Sequence, residues 1–325
     1  MKLSGLEWRS RLVAGLVLGA LGLWGCAPES TDSATGDRPR VVTTYTMLAD
    51  LTERIGCDAI EHRGLLQPGA DPHLYEPVPR DSLAIEQADL IFYNGYNLEP
   101  ALIRLIEGDA GVARAVAVGE QIEPLLLAGQ TEPDPHVWGD VANAIVMVEV
   151  IQDELSELDP SRAESFQARA DLLAAELERL DDWIADSIAT IPPEQRRLVT
   201  THDAFQYFAD AYDIPVLGTL IGISTEEQPS ARTVARLVDS IRAAGVSTIF
   251  AETTINPQLI ENVAAEANVA LASPALFSDS IGAPGGPGDS YIAMMATNAL
   301  TITQSLGGRA DAFELSNEVE AICAP

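Results

Sequence analysis

From about residue 40 onward, short β-rich apolar runs alternate with stretches whose apolar positions recur every three or four residues. The short runs are bounded by turn-forming residues and predict strands over 40–45, 61–66, 90–94 and 114–118. A second set follows over 197–201, 215–220, 247–251 and 270–273. Each set is interleaved with helical patterns, which predicts an α/β fold of two similar lobes with mostly parallel four-stranded sheets. Between the sets the pattern turns wholly helical. One helix spans 140–158 and is stopped by Asp159-Pro160. Ser161 and Glu164 have capping-box spacing and open a second helix that runs to about Thr190, where Ile191-Pro-Pro193 ends it. At roughly thirty residues that helix would be about 45 Å long. Such a length suits a stiff connection between lobes, although an ordinary long surface helix has the same pattern. The expected division is an N-terminal lobe over 40–160, a linking helix over 161–191 and a C-terminal lobe over 192–325.

The first residues follow a different logic. Lys2, Arg9 and Arg11 precede an apolar run from Leu12 to Leu23, and Gly25-Cys26 closes it with small residues. This is the layout of a bacterial secretory signal over 1–26, with an apolar run too short for a comfortable membrane span. Leu23-Trp-Gly-Cys26 resembles a lipobox, in which the cysteine is lipidated; Trp24 is bulkier than the residue usual there. A soluble secreted protein or an uncleaved anchor is the alternative. Residues 27–39, rich in Ser, Thr, Asp, Gly and Pro, read as a flexible tether. The expected location is therefore outside the cytoplasmic membrane, in the periplasm or on the cell surface.

Charge excludes partners better than it identifies one. A formal charge of −30 argues against nucleic acid or an anionic bilayer as a direct partner. Three cysteines and no CxxC argue against a sulfur-based metal or redox site. Cys57 and Cys323 can pair in an oxidising compartment only if the fold brings them together, which spacing alone does not establish.

The chain holds only four histidines, and three sit in polar loops with ligand-like neighbours. His73 and His136 each follow an Asp-Pro dipeptide, and His202 precedes Asp203. Neutral imidazole is a common ligand for zinc and other transition metals. All three follow predicted strands, as does Asp279, and ligands in open α/β sheets bind beyond the carboxyl ends of strands. Plainer uses exist for each: turns fixed by Asp71-Pro72 and Asp134-Pro135, a helix cap for His202, a turn cap shared by Asp279 with Ser278 and Ser280. His62 has no accompanying motif and reads as a surface residue. Glu252 ends a strand, where it is placed to orient a histidine or to replace Asp279 as the carboxylate. Trp138, Phe205, Tyr207 and Phe208 are expected to pack around the cleft.

Five motifs in order carry a resemblance: Gly69-Ala-Asp-Pro-His73, Asp134-Pro-His-Val-Trp138, His202-Asp-Ala-Phe-Gln-Tyr-Phe208, Gly222-Ile-Ser-Thr-Glu-Glu227 and Phe277-Ser-Asp-Ser280, the last followed by Gly288-Asp-Ser-Tyr291. Over residues 40 to 310 the chain resembles the metal-binding proteins of bacterial zinc and manganese ABC importers. The resemblance implies two α/β lobes joined by one long helix. It implies His73, His136, His202 and Asp279 as the metal ligands and assigns Asp289 to the following motif instead. It also implies an ABC permease in the cytoplasmic membrane as partner, a monomeric protein, and one Zn²⁺ or Mn²⁺ as transported ligand.

Histidine at position 202, where manganese-specific relatives often have glutamate, favours zinc, with manganese next and iron last. The short, histidine-free stretch from Glu123 to Pro133 pulls the other way, since zinc relatives often carry a His-rich loop there. A zinc hydrolase would need an open coordination position and a general base. No HExxH is present, and Glu252 is the only base in view. The chain is therefore read as a non-enzyme. An adhesin or passive metal buffer on the same fold is the remaining alternative.

Overall fold

The computed structural model describes residues 38–108, 114–126 and 132–324. The expected signal segment and all but the last two residues of the tether lie outside the described residues. All eight predicted strands form, each shorter than its apolar run. The N-terminal sheet contains β1 (Arg40–Thr43), β2 (Glu61–Gly64), β3 (Leu90–Tyr93) and β4 (Ala115–Ala117) in the order β2-β1-β3-β4, every pair parallel. Its crossovers carry α1 (Thr46–Gly56), α2 (Pro79–Glu86) and α3 (Pro100–Gly108).

The C-terminal sheet departs from the expected continuous four-stranded ladder. β5 (Leu198–Thr200) pairs in parallel with β6 (Val216–Thr219), and β7 (Thr248–Ile249) with β8 (Ala270–Leu271), as two separate pairs. A single hydrogen bond from the Phe250 amide to the Val199 carbonyl, 2.9 Å, bridges them. Pro274 contributes no amide donor to extend β8. Pairing resumes only at an isolated bridge between Glu252 and Leu276. Around these strands lie α6 (Gln206–Ala211), α7 (Ala231–Ala244), α8 (Gln258–Ala267) and α9 (Tyr291–Ser305).

Helix α4 (Val141–Leu158) starts at Asp140, whose carboxylate accepts the Ala142 amide at 2.8 Å. The expected box of Ser161 and Glu164 does not form. Asp159 instead accepts both the amide and the hydroxyl of Ser161, closing a 3₁₀ turn over Pro160–Arg162. The long helix α5 then runs Ala163–Ala189, 27 residues or about 40 Å.

Successive strand residues point to opposite faces, and each sheet is buried on both. Val42 and Ile91 face α2 and α3 in one small core. Val199 and Ile249 face α7 and α8 in another. The other faces, with Val41, Phe92, Leu198 and Phe250, join one large core that also takes buried residues of α1, α4, α5 and α9. That shared core makes the described residues one compact unit. Beyond α9 the chain returns along α5: the Ser316 amide donates to the buried Glu176 carboxylate at 3.0 Å, and the short α10 (Asn317–Glu320) buries Val319. Cys323 then reaches the end of α1 and forms a disulfide with Cys57.

Candidate metal centre

The four candidate ligands converge from the two sheets. His73 lies on the segment after β2, His136 on the long connection before α4, His202 directly after β5, and Asp279 after β8. Each is at most 4% exposed, and one donor atom from each falls within 4.8 Å of all the others. His73 Nε2 is 3.2 Å from His136 Nε2, His136 Nε2 is 3.5 Å from Asp279 Oδ1, and His202 Nε2 is 3.3 Å from Asp279 Oδ2. Metal–nitrogen bonds of about 2.0–2.1 Å give ligand–ligand edges near 3.3–3.4 Å in a tetrahedron. The spacing thus fits one first-row cation. Because the two Asp279 oxygens approach different imidazoles, the cluster offers five donor atoms in all.

Carboxylates behind the cluster set the tautomers. His136 Nδ1–H donates to Asp134 Oδ1 at 2.7 Å, and the same oxygen accepts the His136 amide at 3.0 Å. His202 Nδ1–H donates to Glu252 Oε2, whose other oxygen accepts the amides of Thr201 and His202 at 2.8 Å each. A carboxylate can only accept, so both imidazoles carry a proton on Nδ1 and present Nε2 to the centre. Glu252 takes the orienting role expected of it. Asp134, expected only to fix a turn, does the same for His136. The Asp-Pro-His spacing was the available signal: Asp71 likewise accepts the His73 amide at 2.9 Å.

Two atoms at the centre lack hydrogen-bond partners despite full burial: His202 Nε2 and Asp279 Oδ1. An unpaired buried acceptor is costly, and a cation placed among these atoms removes the cost. Burial holds His73 down at about 3, so its imidazole is neutral at physiological pH. Burial opposes charge on Asp279 as well, but the neighbouring imidazoles, His202 foremost, outweigh it and hold the carboxyl well below its ordinary range. Burial also disfavours charge on His202, yet Asp279 and Glu252 together raise it well above the usual imidazole value.

Trp138 and Tyr207 pack against the cluster as expected, while Phe205 and Phe208 are buried in the large core. Trp138 meets His136 edge-on at 5.4 Å, stacks at a tilt on Tyr45, and donates its indole N–H to the Ser278 carbonyl at 3.0 Å. Tyr207 donates to the Asp134 carbonyl at 3.2 Å. Gly139 packs closely on α6, where an added Cβ would lie 3.2 Å from the Phe208 amide nitrogen and force a small shift. Direct bonds also cross the cleft. Thr225 Oγ1 donates to Asp71 Oδ2 at 2.7 Å, and the Gly69 amide donates to Ser280 Oγ at 2.7 Å.

Two residues lie elsewhere. Asp289 accepts the Gly285 amide at 2.9 Å within an exposed loop and is outside the cluster. His62, expected on the surface, has a side chain only 12% exposed and pairs with Thr43 Oγ1 at 2.9 Å. Its place on β2, beside β1, covers it. Glu252 is fully engaged by His202 and two amides, which leaves it unable to act as the free base a hydrolase would require.

Comparison with known proteins places this geometry in context. Residues 41–305 match the family model described as zinc-uptake complex component A, periplasmic. The manganese-binding lipoprotein MntA of Halalkalibacterium halodurans is 35% identical over 283 residues, covering 87% of this chain and 93% of that protein. The iron ABC transporter substrate-binding lipoprotein MtsA of Streptococcus pyogenes is 31% identical, covering 92% and 98%. Among solved structures, the periplasmic zinc-binding protein TroA of Treponema pallidum superimposes with a TM-score of 0.80 at 34% identity, covering 84% of this chain and all of that one.

Proposed function

This chain belongs to the periplasmic zinc-uptake component A family, the extracytoplasmic metal-binding components of ABC importers, and from that premise we propose that its cargo is Mn²⁺, held by His73, His136, His202 and Asp279. The observation that carries the choice is the orientation of Asp279, whose two oxygens approach two different imidazoles. Five donors with a two-oxygen carboxylate suit manganese, which favours oxygen ligands and accepts higher coordination than tetrahedral zinc. The manganese named for the MntA relative supports the same reading. It displaces the zinc preference that His202 alone would give.

Zinc is the second reading, favoured by three imidazoles, by tetrahedral edge lengths and by the zinc named for TroA. Affinity in solution does not separate the two, because Zn²⁺ binds such a nitrogen and oxygen site more tightly than Mn²⁺ regardless of the biological cargo. Uptake does. Cells lacking the protein should lose radioactive manganese accumulation at micromolar supply and keep zinc accumulation. Loss of zinc uptake alone would reverse the assignment.

A lipid on Cys26 would hold the protein at the outer face of the cytoplasmic membrane, with residues 27–39 as its tether. The monomer would pass its ion to a membrane permease driven by a cytoplasmic ATPase. We divide it into moving bodies at 40–160 and 192–325, linked by 161–191. Release would separate His202 and Asp279 from His73 and His136 by a small displacement, lowering affinity without chemistry. Identical metal-free and metal-bound solution scattering, together with unchanged hydrogen exchange at the cleft, would count against that displacement.

A further inference from the structure

The last described strand before His136 is β4, which ends at Ala117, so no ladder carries this ligand to the centre directly. The peptide that joins Pro135 to His136 is nevertheless held at both of its polar ends. Its N–H donates to Asp134 Oδ1 at 3.0 Å, and its C=O accepts from Asn94 Nδ2 at 2.9 Å. Because a peptide unit is planar, fixing both ends also fixes the direction in which the His136 side chain leaves the chain. Asp134 belongs to the same segment as His136 and would move with it. So would Val137, whose amide also donates to the Pro135 carbonyl at 2.8 Å. Asn94 directly follows β3 and belongs to the sheet.

The main chain of Asn94 is pinned on both sides. Its amide donates to Glu99 Oε1 at 2.7 Å, and its carbonyl accepts the Gly119 amide at 2.9 Å. Gly119 fits there for want of a side chain, since a Cβ would lie 2.7 Å from that carbonyl oxygen. The Asn94 side chain is fully buried and employs both amide atoms. Oδ1 accepts the Tyr45 hydroxyl at 3.1 Å, and Nδ2 also donates to the Gly95 carbonyl at 3.1 Å. Carbonyl oxygens only accept, so the nitrogen must face them and the amide has one orientation. Tyr45 in turn stacks on Trp138, which meets His136 edge-on. Asn94 thus reaches His136 twice, through the preceding peptide and through the rings behind the imidazole.

His202 needs no such device. It directly follows β5, and the carbonyl before it, that of Thr201, accepts the Leu220 and Ile221 amides at 3.1 and 2.9 Å. There the chain just past β6 does what a side chain does for His136.

We propose that Asn94 is a positioning residue that ties His136 to the N-terminal sheet, so that the imidazole keeps its place when the ion leaves. The inference rests on the transport reading above, in which His136 is a metal ligand.

Zinc titrations by chelator competition on the purified protein test it, because zinc binds such a site tightly enough to keep weakened variants measurable. Asn94→Ala should lower Zn²⁺ affinity by about tenfold, the lower end of the loss for an outer partner of a ligand. A double-mutant cycle separates positioning from general support of the fold. In His136→Ala, which has no imidazole left to position, adding Asn94→Ala should change affinity by less than about twofold. In Glu252→Gln, which loosens His202 on the other sheet, it should cost the full factor. A residue that merely supports the fold would cost the same in both backgrounds. Equal costs, or a folded Asn94→Ala with unaltered affinity, would overturn the proposal. Asn94→Asp keeps the size and loses the donor; it passes through the same cycle and decides the matter if Asn94→Ala does not fold. An unaltered protein that binds neither zinc nor manganese would sink the transport reading itself. Tight binding by the unaltered protein and the Asn94 variants alike would sink only the role of Asn94.

Discussion

Glu252 holds His202 at two places, through the imidazole Nδ1–H and through the backbone amide at 2.8 Å, so ring and main chain are fixed by one carboxylate. Neither residue is more than 2% exposed. Glu252→Gln would keep the size of the side chain but present either an NH₂ to the imidazole or an NH₂ to the two amides. Metal affinity should fall by roughly 10–100-fold, the usual cost of losing an outer partner of a ligand. Isothermal titration with Mn²⁺ measures it, and an unchanged affinity would remove Glu252 from the positioning role.

Asp279 and Asp289 separate two readings of one short region. Asp279→Ala removes both central oxygens and should weaken Mn²⁺ binding by more than the ~10–100-fold assigned to an outer partner. Asp289→Ala removes only the acceptor for the Gly285 amide and should leave affinity within about twofold. The opposite ranking in a metal-competition assay would mean that the carboxylate has been misassigned.

Glu99 gives the fold a pH dependence away from the metal. Burial pushes its carboxyl from 4.5 to about 7, against hydrogen bonds from the Asn94 amide at 2.7 Å and the Thr44 hydroxyl at 2.8 Å, while Oε2 has no partner. Its folded value lies above its unfolded one, so its contribution is complete below about pH 4.5 and is lost as pH rises through 7. The span corresponds to at most about 3 kcal/mol. Glu99→Gln should flatten the change in urea stability between pH 5 and pH 8. A slope equal to that of the unaltered protein would show that Glu99 does not titrate in this range.

The Cys57–Cys323 bond joins the end of α1 to the last turn of the chain, 266 residues away. Cys323→Ser should cost about 2–4 kcal/mol by freeing the unfolded chain, although native strain can reduce the loss. Denaturant midpoints with and without reductant should show the same difference in the unaltered protein and none in the variant.

The strands and the convergence of three histidines with Asp279 were legible because each has a local signature. β-rich runs between turn residues mark all eight strands, and Asp-Pro before His73 and His136 announces turns that place an imidazole. The features that escaped depend on residues far apart in the chain. Cys57 and Cys323 meet only because the segment after α9 returns along α5, guided by Glu176 and Val319, and no short-range pattern encodes that return. The Ser161 and Glu164 spacing misled because Asp159, two residues earlier, competes for the same amide. His62 is covered although no motif surrounds it, because the parallel β1 strand beside it is far away in the chain.

The core that runs beneath both sheets, from Val41 on β1 through α5 to Ile302 on α9, has a consequence for how the molecule melts. Halves with separate cores could unfold one at a time, but halves that share one lose their packing together. Heating should give a single calorimetric peak whose van't Hoff and calorimetric enthalpies agree. An ion held at the seam by residues of both halves would then raise the melting point of the whole chain, so occupancy protects parts of the protein that never touch the metal.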